Sequence, residues 1–375
     1  MDECQLTTLA DCLRQVPDPR CRRGVRHQWW VILTIIAAGL LCGQRDFRAI
    51  GQWARAKRPL LRRYLPLWQG SPPSEKTLQR AMSRLDLEAF KQQAYDFINA
   101  TRLPAQGALD ALSIDGKTLR GASHGGRKVH LLTLAAHADG AVLGRRNVGL
   151  KTNELAVAPL LLRDRDLRGQ VVTGDAMFCH RELCRQVLRQ GGHYLWEVKD
   201  NQPSLRADLI YLFDSPRGGP HPLTFWPATA LVGGHGRIDE RALEASDALN
   251  GHLDWPGLEQ VVRRRCTRHI NGHARSEDHY YVTSLPHVDA GPHTLLDLTR
   301  GHWGIENNVN RAQDVVFAED ASTLRTATAP EAMSVMRDLV MHILHSSSGF
   351  LLSDKLRDYQ AYPTKALRAL GLRRL

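Results

Sequence analysis

Cysteine is scarce in this chain, and its cysteines lack the spacing of a structural site. The seven cysteines include no C-x-x-C pair, and their odd number argues against a disulfide framework or a four-ligand zinc site. Cys179, His180 and Cys184 lie close together, but their spacing favours the start of a helix over a set of metal ligands. The sequence therefore predicts reduced, mostly buried thiols.

Long hydrophobic runs are also missing. The longest run, Trp29 to Cys42, has about 14 residues, which is shorter than the roughly 20 that a bilayer-spanning helix needs. We therefore expect a buried core helix there and no membrane partner. Asp2 and Glu3 precede any apolar run, which predicts that no signal peptide opens the chain and that the protein is cytoplasmic.

Acidic residues are outnumbered by basic ones. The 375 residues include 50 Lys and Arg against 39 Asp and Glu, and the hydrophobic fraction is 43%. This length allows two or three domains of roughly 100–200 residues each. The basic balance favours a polyanionic partner, because Lys and Arg that neutralise phosphates release condensed counterions. Nucleic acid is the first candidate.

The first region, residues 1–103, has the periodicity of helices. One segment, Glu75–Leu85, carries basic side chains at four-residue steps and apolar side chains on another face: Lys76, Arg80 and Arg84, and Leu78, Met82 and Leu85. A helix of this kind could dock on a DNA duplex. The alternative is a solvated face on an ordinary core helix.

The second region, from residue 108 to about 202, alternates strands and helices and predicts an α/β sheet. Two of its apolar runs, Ala111–Asp115 and Gln170–Asp175, each end in an aspartate. Carboxylates at neighbouring strand ends point into one crevice. Their mutual repulsion would be relieved by a divalent cation such as Mg²⁺, which suits phosphoryl transfer. The alternative is ordinary turn chemistry, since Asp115-Gly116 is a common turn pair.

A third acid is predicted in a helix that spans residues 301–313. Glu306 could project from it toward the same crevice, but spacing alone does not exclude Asp314, Glu319 or Asp320. Between the second and third acids, residues 203–286 contain many Pro, Gly and His residues and short strand-like runs, which favours a β-rich insertion. Residues 287–346 return to helix, and 347–375 are interpreted as a C-terminal tail.

Several motifs resemble those of one known family. They are Pro17–Arg20 with Arg22–His27, Ile114–Gly121, Lys151–Glu154, Val172–Ala176, Val198–Gln202, His235–Arg237, and His302–Asn307 leading to Asp314–Asp320. In this order and spacing they resemble bacterial insertion-sequence transposases of the H-repeat-associated kind, in the DDE superfamily. The resemblance covers nearly the whole chain.

This resemblance implies an α/β fold, a ribonuclease-H-like catalytic domain formed by residues 108–202 and 287–346. An all-helical N-terminal domain, 1–103, would precede it, and the β-rich segment would be inserted within it. The implied catalytic and metal-binding residues are Asp115, Asp175 and Glu306, with Mg²⁺ as cofactor and Mn²⁺ as an alternative. The implied activity is strand cleavage at element ends, followed by strand transfer into target DNA. The implied setting is a homodimer on double-stranded DNA, associated with the bacterial nucleoid.

The region around the third acid departs from the family pattern. Thr299, His302 and Gln313 stand where related transposases carry Tyr, Arg and Lys. Arg300 or Arg311 could supply the missing positive charge. We also expect DNA contacts from Lys117, Lys199, His302 and Trp303, in addition to Arg80 and Arg84 of the first region. Two alternatives remain: a metal-dependent nuclease that cuts without joining, and a catalytically silent, transposase-derived DNA-binding protein.

Overall fold

The structure is a computed structural model, and it describes residues 8–21, 23, 25–102, 109–124, 127–149, 152–216, 223–234, 237–270, 273–346 and 351–375. The fold is mixed α/β, with one large sheet and helices before, between and after its strands.

Within these ranges, every regular element that precedes Asp110 is helical. The elements are α1 (Leu9–Gln15), α2 (Trp29–Leu41), α3 (Phe47–Ala56), α4 (Arg58–Leu61), α5 (Glu75–Arg84) and α6 (Leu87–Thr101), with a short 3-10 helix at Trp68–Gly70. Thr8, Asp46, Ser74 and Asp86 cap α1, α3, α5 and α6, respectively. Each side-chain oxygen accepts a hydrogen bond from a first-turn backbone N–H, which explains where these helices begin.

Helix α2 is apolar on nearly every side because other helices surround it. Every residue of α2 except Trp30 is buried, and the helix contacts α1, α3, α5 and three helices from the end of the chain. The prediction of a buried core helix is confirmed. Among the helices in the described ranges, none combines the length and apolarity required to cross a membrane.

Within the described part of the chain, nine strands form one continuous sheet. They are β1 (Asp110–His124), β2 (Arg127–Ala136), β3 (Val142–Asn147), β4 (Gln170–Gly174), β5 (His193–Val198), β6 (Trp226–Gly234), β7 (Arg237–Ser246), β8 (Gln260–Ile270) and β9 (His273–Thr283). Their order across the sheet is β3-β2-β1-β4-β5-β9-β8-β7-β6. Strands β1, β4 and β5 run parallel, and the other neighbours are antiparallel.

The remaining helices connect and cover the sheet. They are α7 (Glu154–Leu161), α8 (Arg181–Arg189), α9 (Pro203–Asp214), α10 (Pro292–Gly301), a π-helix (Ile305–Asn310), α11 (Arg311–Phe317), α12 (Ala329–Ser346), α13 (Leu352–Ala361) and α14 (Pro363–Ala369), with 3-10 turns at Ala176–Phe178 and Glu319–Ala321. Helix α12 contacts α6 as well as β1 and β3. It therefore joins the helical first region to the sheet.

The segment predicted as a β-rich insertion begins with a helix, α9, before its four strands. These strands do not form a separate sheet. Strand β9 pairs antiparallel with β5, from Leu195↔Thr283 to Val198↔Tyr280. The insertion therefore extends the sheet that carries the candidate acids.

The described part of the predicted C-terminal tail is folded. Helices α13 and α14 contact α2, and the backbone N–H of Ala10 donates to the carbonyl oxygen of Leu370 at 2.9 Å. The Cys42 thiol donates to the carbonyl oxygen of Tyr359 at 3.3 Å, across 317 residues of sequence. Apolar side chains such as Leu367 and Leu370 are fully buried, so this segment completes the core of the helical region.

Candidate active site

Asp115 and Asp175 lie just beyond the point where two parallel strands stop pairing. The last paired residues of β1 and β4 are Ser113 and Thr173, and each acid lies two residues further on. Asp175 directly follows β4, where its carboxylate accepts a hydrogen bond from the Met177 N–H at 3.0 Å. The geometry therefore brings the two predicted acids to the same edge of the parallel strands.

The prediction that Asp115 ends its strand is wrong. Strand β1 continues to His124, because residues 112–119 and 123–124 pair with β2. Asp115 lies at the end of the parallel pairing only, in the interior of the strand. The apolar run ends in the sequence where β1 loses its neighbour β4, but the strand itself continues.

Glu306 lies in the π-helix between α10 and α11, and its side chain is exposed. A π-helical turn is rare and is frequently found at functional sites. The same turn contains Asn310, whose Nδ2 donates to Oδ2 of Asp115 at 3.2 Å. The segment that carries Glu306 is therefore joined directly to the first acid.

The charges of these acids act on one another. Burial, together with the negative charges of Glu154, Asp175 and Glu306, raises the pKa of Asp115 to about 6, against a hydrogen bond from the Gly116 N–H that lowers it. Burial and the Glu154 charge also raise the pKa of Asp175, which Lys199 opposes. These carboxylates repel one another in a partly buried crevice. A bound divalent cation would relieve that repulsion.

Glu154 is an acid that sequence reasoning did not place in the site. In the sequence it stands out only within the Lys151–Glu154 motif and as the start of a helix; Lys151 itself lies outside the described residues. The structure sets its carboxylate against the β1 backbone at Gly116. In the structure it is the first residue of α7, directly after the capping residue Asn153.

The chemistry of these donors fits a hard divalent cation. All four acids offer carboxylate oxygens, and Oδ1 of Asn310 is buried without a hydrogen-bond partner in the described structure. Mg²⁺ takes such oxygen ligands, usually one or two carboxylates together with water and substrate phosphates. Among the described side chains, no group of three His, Cys, Asp or Glu residues is arranged to hold a metal ion.

Comparison with known proteins identifies the family. The sequence profile described as Transposase DDE domain matches residues 100–344, and the profile described as DDE_Tnp_1-associated matches residues 10–98. The chain belongs to the DDE transposase family.

The chain is also similar to individual proteins. The chain is 34% identical to "Uncharacterized protein in dhlA 3'region" of Xanthobacter autotrophicus, over 72% of this chain and 92% of that protein. It is 26% identical to the H repeat-associated putative transposase YhhI of Escherichia coli (strain K12), over 92% of each chain. The predicted resemblance to H-repeat-associated transposases of the DDE superfamily is confirmed. A solved piggyBac transposase, in a synaptic complex with hairpin DNA, aligns with a TM-score of 0.48 and 11% identity, over 98% of this chain and 83% of that one.

In this DDE family member, the ammonium of Lys117 is held by partners inside the protein. Its side chain is 8% exposed, and its ammonium donates to Glu319 Oε2 at 2.9 Å, Asp314 Oδ1 at 3.1 Å and the Asn310 carbonyl oxygen at 3.3 Å. These internal partners leave no face of the ammonium for a phosphate. The structure corrects the prediction and assigns Lys117 to the interior of the DDE domain.

Lys117 belongs to a buried charge network that holds β1 against helices α11 and α12. Its ion pairs join Lys117, Arg145 and Arg337 to Asp314, Glu319 and Asp338. Burial alone would raise the pKa of Glu319, but the charges of Arg337, Arg145 and Lys117 lower it to about 2. The three cations and three anions balance, which is how charges in a protein interior are tolerated.

The network also accounts for the acids that competed with Glu306. Glu319 is fully buried and paired, Asp314 accepts from Lys117, and Asp320 pairs with Arg120 at 3.4 Å. Gln313, which stands where the family carries Lys, is also internal: its Nε2 donates to Asp338 Oδ1 at 2.6 Å. Glu306 is therefore the residue of this group whose carboxylate is exposed near Asp115.

An open groove of about 1100 Å³ lies between the insertion strands and α10. Three residues predicted to contact DNA line it: Lys199, Arg300 and Trp303. Trp303 is 55% exposed, and the Lys199 charge acts on Asp175. The insertion adds basic side chains to the same groove, namely Arg241, Arg264, Arg268 and Arg275, together with acids such as Asp239 and Glu277.

The other residues predicted to contact DNA lie elsewhere. Arg80, Arg84 and Lys76 are exposed on α5, whose opposite face is buried through Leu78 and Met82. Arg311 is exposed on α11. The amphipathic character predicted for α5 is thus present, and its basic face points to solvent.

His302 is partly buried, and it connects the Glu306 segment to the strands of the acids. Its Nδ1 lies 3.2 Å from Thr173 Oγ1, and Thr173 in turn lies 3.2 Å from Ser113 Oγ and 3.0 Å from Nε2 of His137. Ser113 and Thr173 each precede a candidate acid by two residues. This polar link therefore joins His302 to the residues that lie two positions before Asp115 and Asp175.

We expect His137 and His302 in this link to make the free energy of unfolding depend on pH. Burial lowers the pKa values of His137 and His302 from 6.5 to about 4. As pH falls from 6.5 toward 4, the unfolded chain takes up protons that the folded protein does not. The contribution of the two neutral imidazoles to the free energy of unfolding is therefore complete above pH 6.5 and is lost toward pH 4. Urea unfolding across this range should show a smaller loss for His302→Gln than for wild type.

The exposed His252 provides the control for that measurement. The variant His252→Gln should retain the wild-type slope. A slope unchanged in His302→Gln would show that the imidazole takes up protons equally in the folded and unfolded states, contrary to the expectation.

Proposed function

We propose that this chain is a DNA transposase that cuts DNA at the ends of its element and joins the freed ends to target DNA, with a divalent metal ion as cofactor. One observation carries the proposal. Asp115, Asp175 and Glu306 come from separate elements of the DDE domain, and the charges of Asp175 and Glu306 both act on the Asp115 carboxylate. Membership of the DDE transposase family supports the same reading.

We further propose that the sheet core is ribonuclease-H-like, preceded by an all-helical N-terminal domain. The order β3-β2-β1-β4-β5, with antiparallel β1–β3 and parallel β1, β4 and β5, supports this assignment. In this scheme α12 belongs to the catalytic domain, and the insertion supplies β6 to β9. The acids then lie at the edge where open α/β sheets bind ligands.

In the proposed reaction the acids bind the metal ions and the surrounding residues orient the DNA. Asp115, Asp175 and Glu306 would hold Mg²⁺ or Mn²⁺, which when bound activates the attacking oxygen and stabilises the leaving oxygen. Asn310 and the His302 link fix the two strand acids relative to the Glu306 segment. Lys199 provides a positive charge beside Asp175 for a phosphate.

The DNA partner is proposed from charge and exposure. The groove lined by Lys199, Arg300 and Trp303 would take the reacting strand, with Trp303 available to stack on a base. The net charge of +11 favours a polyanion of this kind. A homodimer is part of the proposal because two element ends must be brought together, and a cytoplasmic, nucleoid-associated location follows from the partner.

We expect the basic face of α5 to contact DNA phosphates. The double variant Arg80→Ala/Arg84→Ala should weaken binding to element-end DNA similarly across sequences, and the slope of log K against log salt should fall by about 1 for each phosphate that is no longer neutralised. Fluorescence anisotropy at several salt concentrations measures both quantities. Arg168→Ala, at an exposed pair with Asp166, is the matched control, and an unchanged slope in the double variant would contradict the assignment.

The decisive experiment is a strand-transfer assay. Purified protein is incubated with Mg²⁺, labelled DNA carrying the element ends and an unlabelled target plasmid, and products are separated by size. Label joined to plasmid is the expected result. Cut but unjoined ends would favour a metal-dependent nuclease, and salt-dependent binding without any cutting would favour a silent DNA-binding descendant.

A further inference from the structure

Glu154 lies against the backbone beside the first candidate acid. A β-carbon placed on Gly116 would come within 2.6 Å of Glu154 Oε2 and closer still to Oε1. Gly116 has ordinary strand torsions and pairs with Leu132 of β2. A side chain at this position would therefore displace the Glu154 carboxylate, although the backbone conformation itself would accept any residue.

The charge of Glu154 reaches both strand acids. Apart from burial, it is the foremost influence that raises the pKa of Asp115, ahead of Asp175 and Glu306. It is likewise the foremost acid acting on Asp175. The carboxylate that most affects the aspartate pair is thus on α7.

Glu154 is held in place by a chain of hydrogen bonds. Its Oε1 lies 2.8 Å from His130 Nε2, and Nδ1 of the same ring lies 2.7 Å from Thr118 Oγ1. Thr118 and His130 are directly paired across β1 and β2. Both ring nitrogens are engaged, which fixes the imidazole plane and hence the carboxylate, as outer partners do for ligating carboxylates in metal sites.

The cap of helix α7 also holds Glu154 in position. Asn153 caps α7 by accepting a hydrogen bond from the Ala156 N–H at 2.9 Å, so Glu154 is the first helical residue and cannot swing away with a frayed end. Its side chain is 18% exposed, open enough for exchange with a ligand.

We propose that Glu154 is a fourth metal-facing carboxylate of this site, held by His130 and directed toward the cation shared by Asp115 and Asp175. The inference rests on the proposed metal-dependent function. It adds an acid from α7, on a segment far from Glu306 in the sequence, so that the cation would be approached from two separate helical segments.

The test measures metal binding directly. Mn²⁺ is titrated into the full-length protein, and bound ion is followed by isothermal titration calorimetry and by loss of the free Mn²⁺ EPR signal. Glu154→Gln removes the charge and keeps an oxygen that can accept from His130; we expect Mn²⁺ affinity to fall by about tenfold or more. Gly116→Ala, which displaces the carboxylate, should show a similar loss.

Two further variants separate the outcomes. Glu182→Gln, on the exposed side of α8, should bind Mn²⁺ as wild type does, and Asp175→Asn should bind it weakly. Wild-type affinity in Glu154→Gln, with Asp175→Asn impaired, overturns the Glu154 inference and leaves the proposed function standing. Equal affinity in wild type and Asp175→Asn rejects the metal site itself. Thermal unfolding at the wild-type temperature confirms that Glu154→Gln is folded.

Discussion

Replacement of Asp175 by Asn is expected to lower the rate of strand cleavage by about 10³-fold or more, equivalent to about 4 kcal/mol of transition-state stabilisation. The amide has nearly the same shape as the carboxylate and can still accept the Met177 hydrogen bond. It lacks the negative charge that binds a cation. Single-turnover cleavage of labelled element-end DNA in Mg²⁺ measures the loss, and DNA affinity should change little because no phosphate contact is removed.

A control substitution tests whether the loss of cleavage is specific to Asp175 or follows from the loss of any negative charge. Asp208→Asn changes an exposed aspartate on α9 and should cleave at the wild-type rate. Comparable activity in Asp175→Asn would mean that a different group binds the metal, and the proposed active site would have to be abandoned. Asp115→Asn should resemble Asp175→Asn, since burial and neighbouring acids raise its pKa by the same physical causes.

Replacement of Glu319 by Gln should destabilise the fold by about 3–5 kcal/mol, because it leaves buried cations without their counter-charge. Glu319 is fully buried and pairs with Lys117 at 2.9 Å and Arg337 at 3.1 Å. Glutamine preserves the volume of the side chain, so the effect isolates the charge. Urea unfolding followed by circular dichroism measures the change.

The same variant should alter the acid limb of the stability profile. The pKa of Glu319 is about 2 in the folded protein, against an ordinary value of 4.5. Because the pKa is lowered on folding, the ionised carboxylate contributes to the free energy of unfolding. This contribution is complete above pH 4.5 and is lost as pH falls toward 2. This part of the decline should be absent in Glu319→Gln. The exposed pair of Asp166 and Arg168 is the control, and Asp166→Asn should leave the unfolding midpoint unchanged.

Sequence periodicity predicted the elements that local patterns determine. Helix α2 was evident because a run that is apolar all round fits burial on all sides. The convergence of Asp115 and Asp175 followed from two apolar strands with acids at equivalent positions. In both cases the information lies within a few neighbouring residues, and the tertiary structure agrees with it.

Residues whose role depends on a distant partner could not be assigned in this way. Lys117 shares a face of β1 with Asp115, two residues away, and its spacing suggested a phosphate contact. Its actual partners, Asp314 and Glu319, come from nearly 200 residues later in the chain. Glu154 was missed for the same reason, since it lies on α7 and its neighbours Gly116 and His130 lie on β1 and β2.

The packing of α13 and α14 against α2 has a consequence for biosynthesis. The contact between Cys42 and Tyr359 spans 317 residues, so the first helices leave the ribosome long before the segment that completes their core. Until then, part of their apolar surface remains exposed, and long-range closure of this kind slows folding. The sheet is synthesised in the interval, and it can fold before the helical region is closed. We therefore expect a nascent chain halted after α12 to hold an ordered sheet beside an incompletely packed, chaperone-accessible helical region.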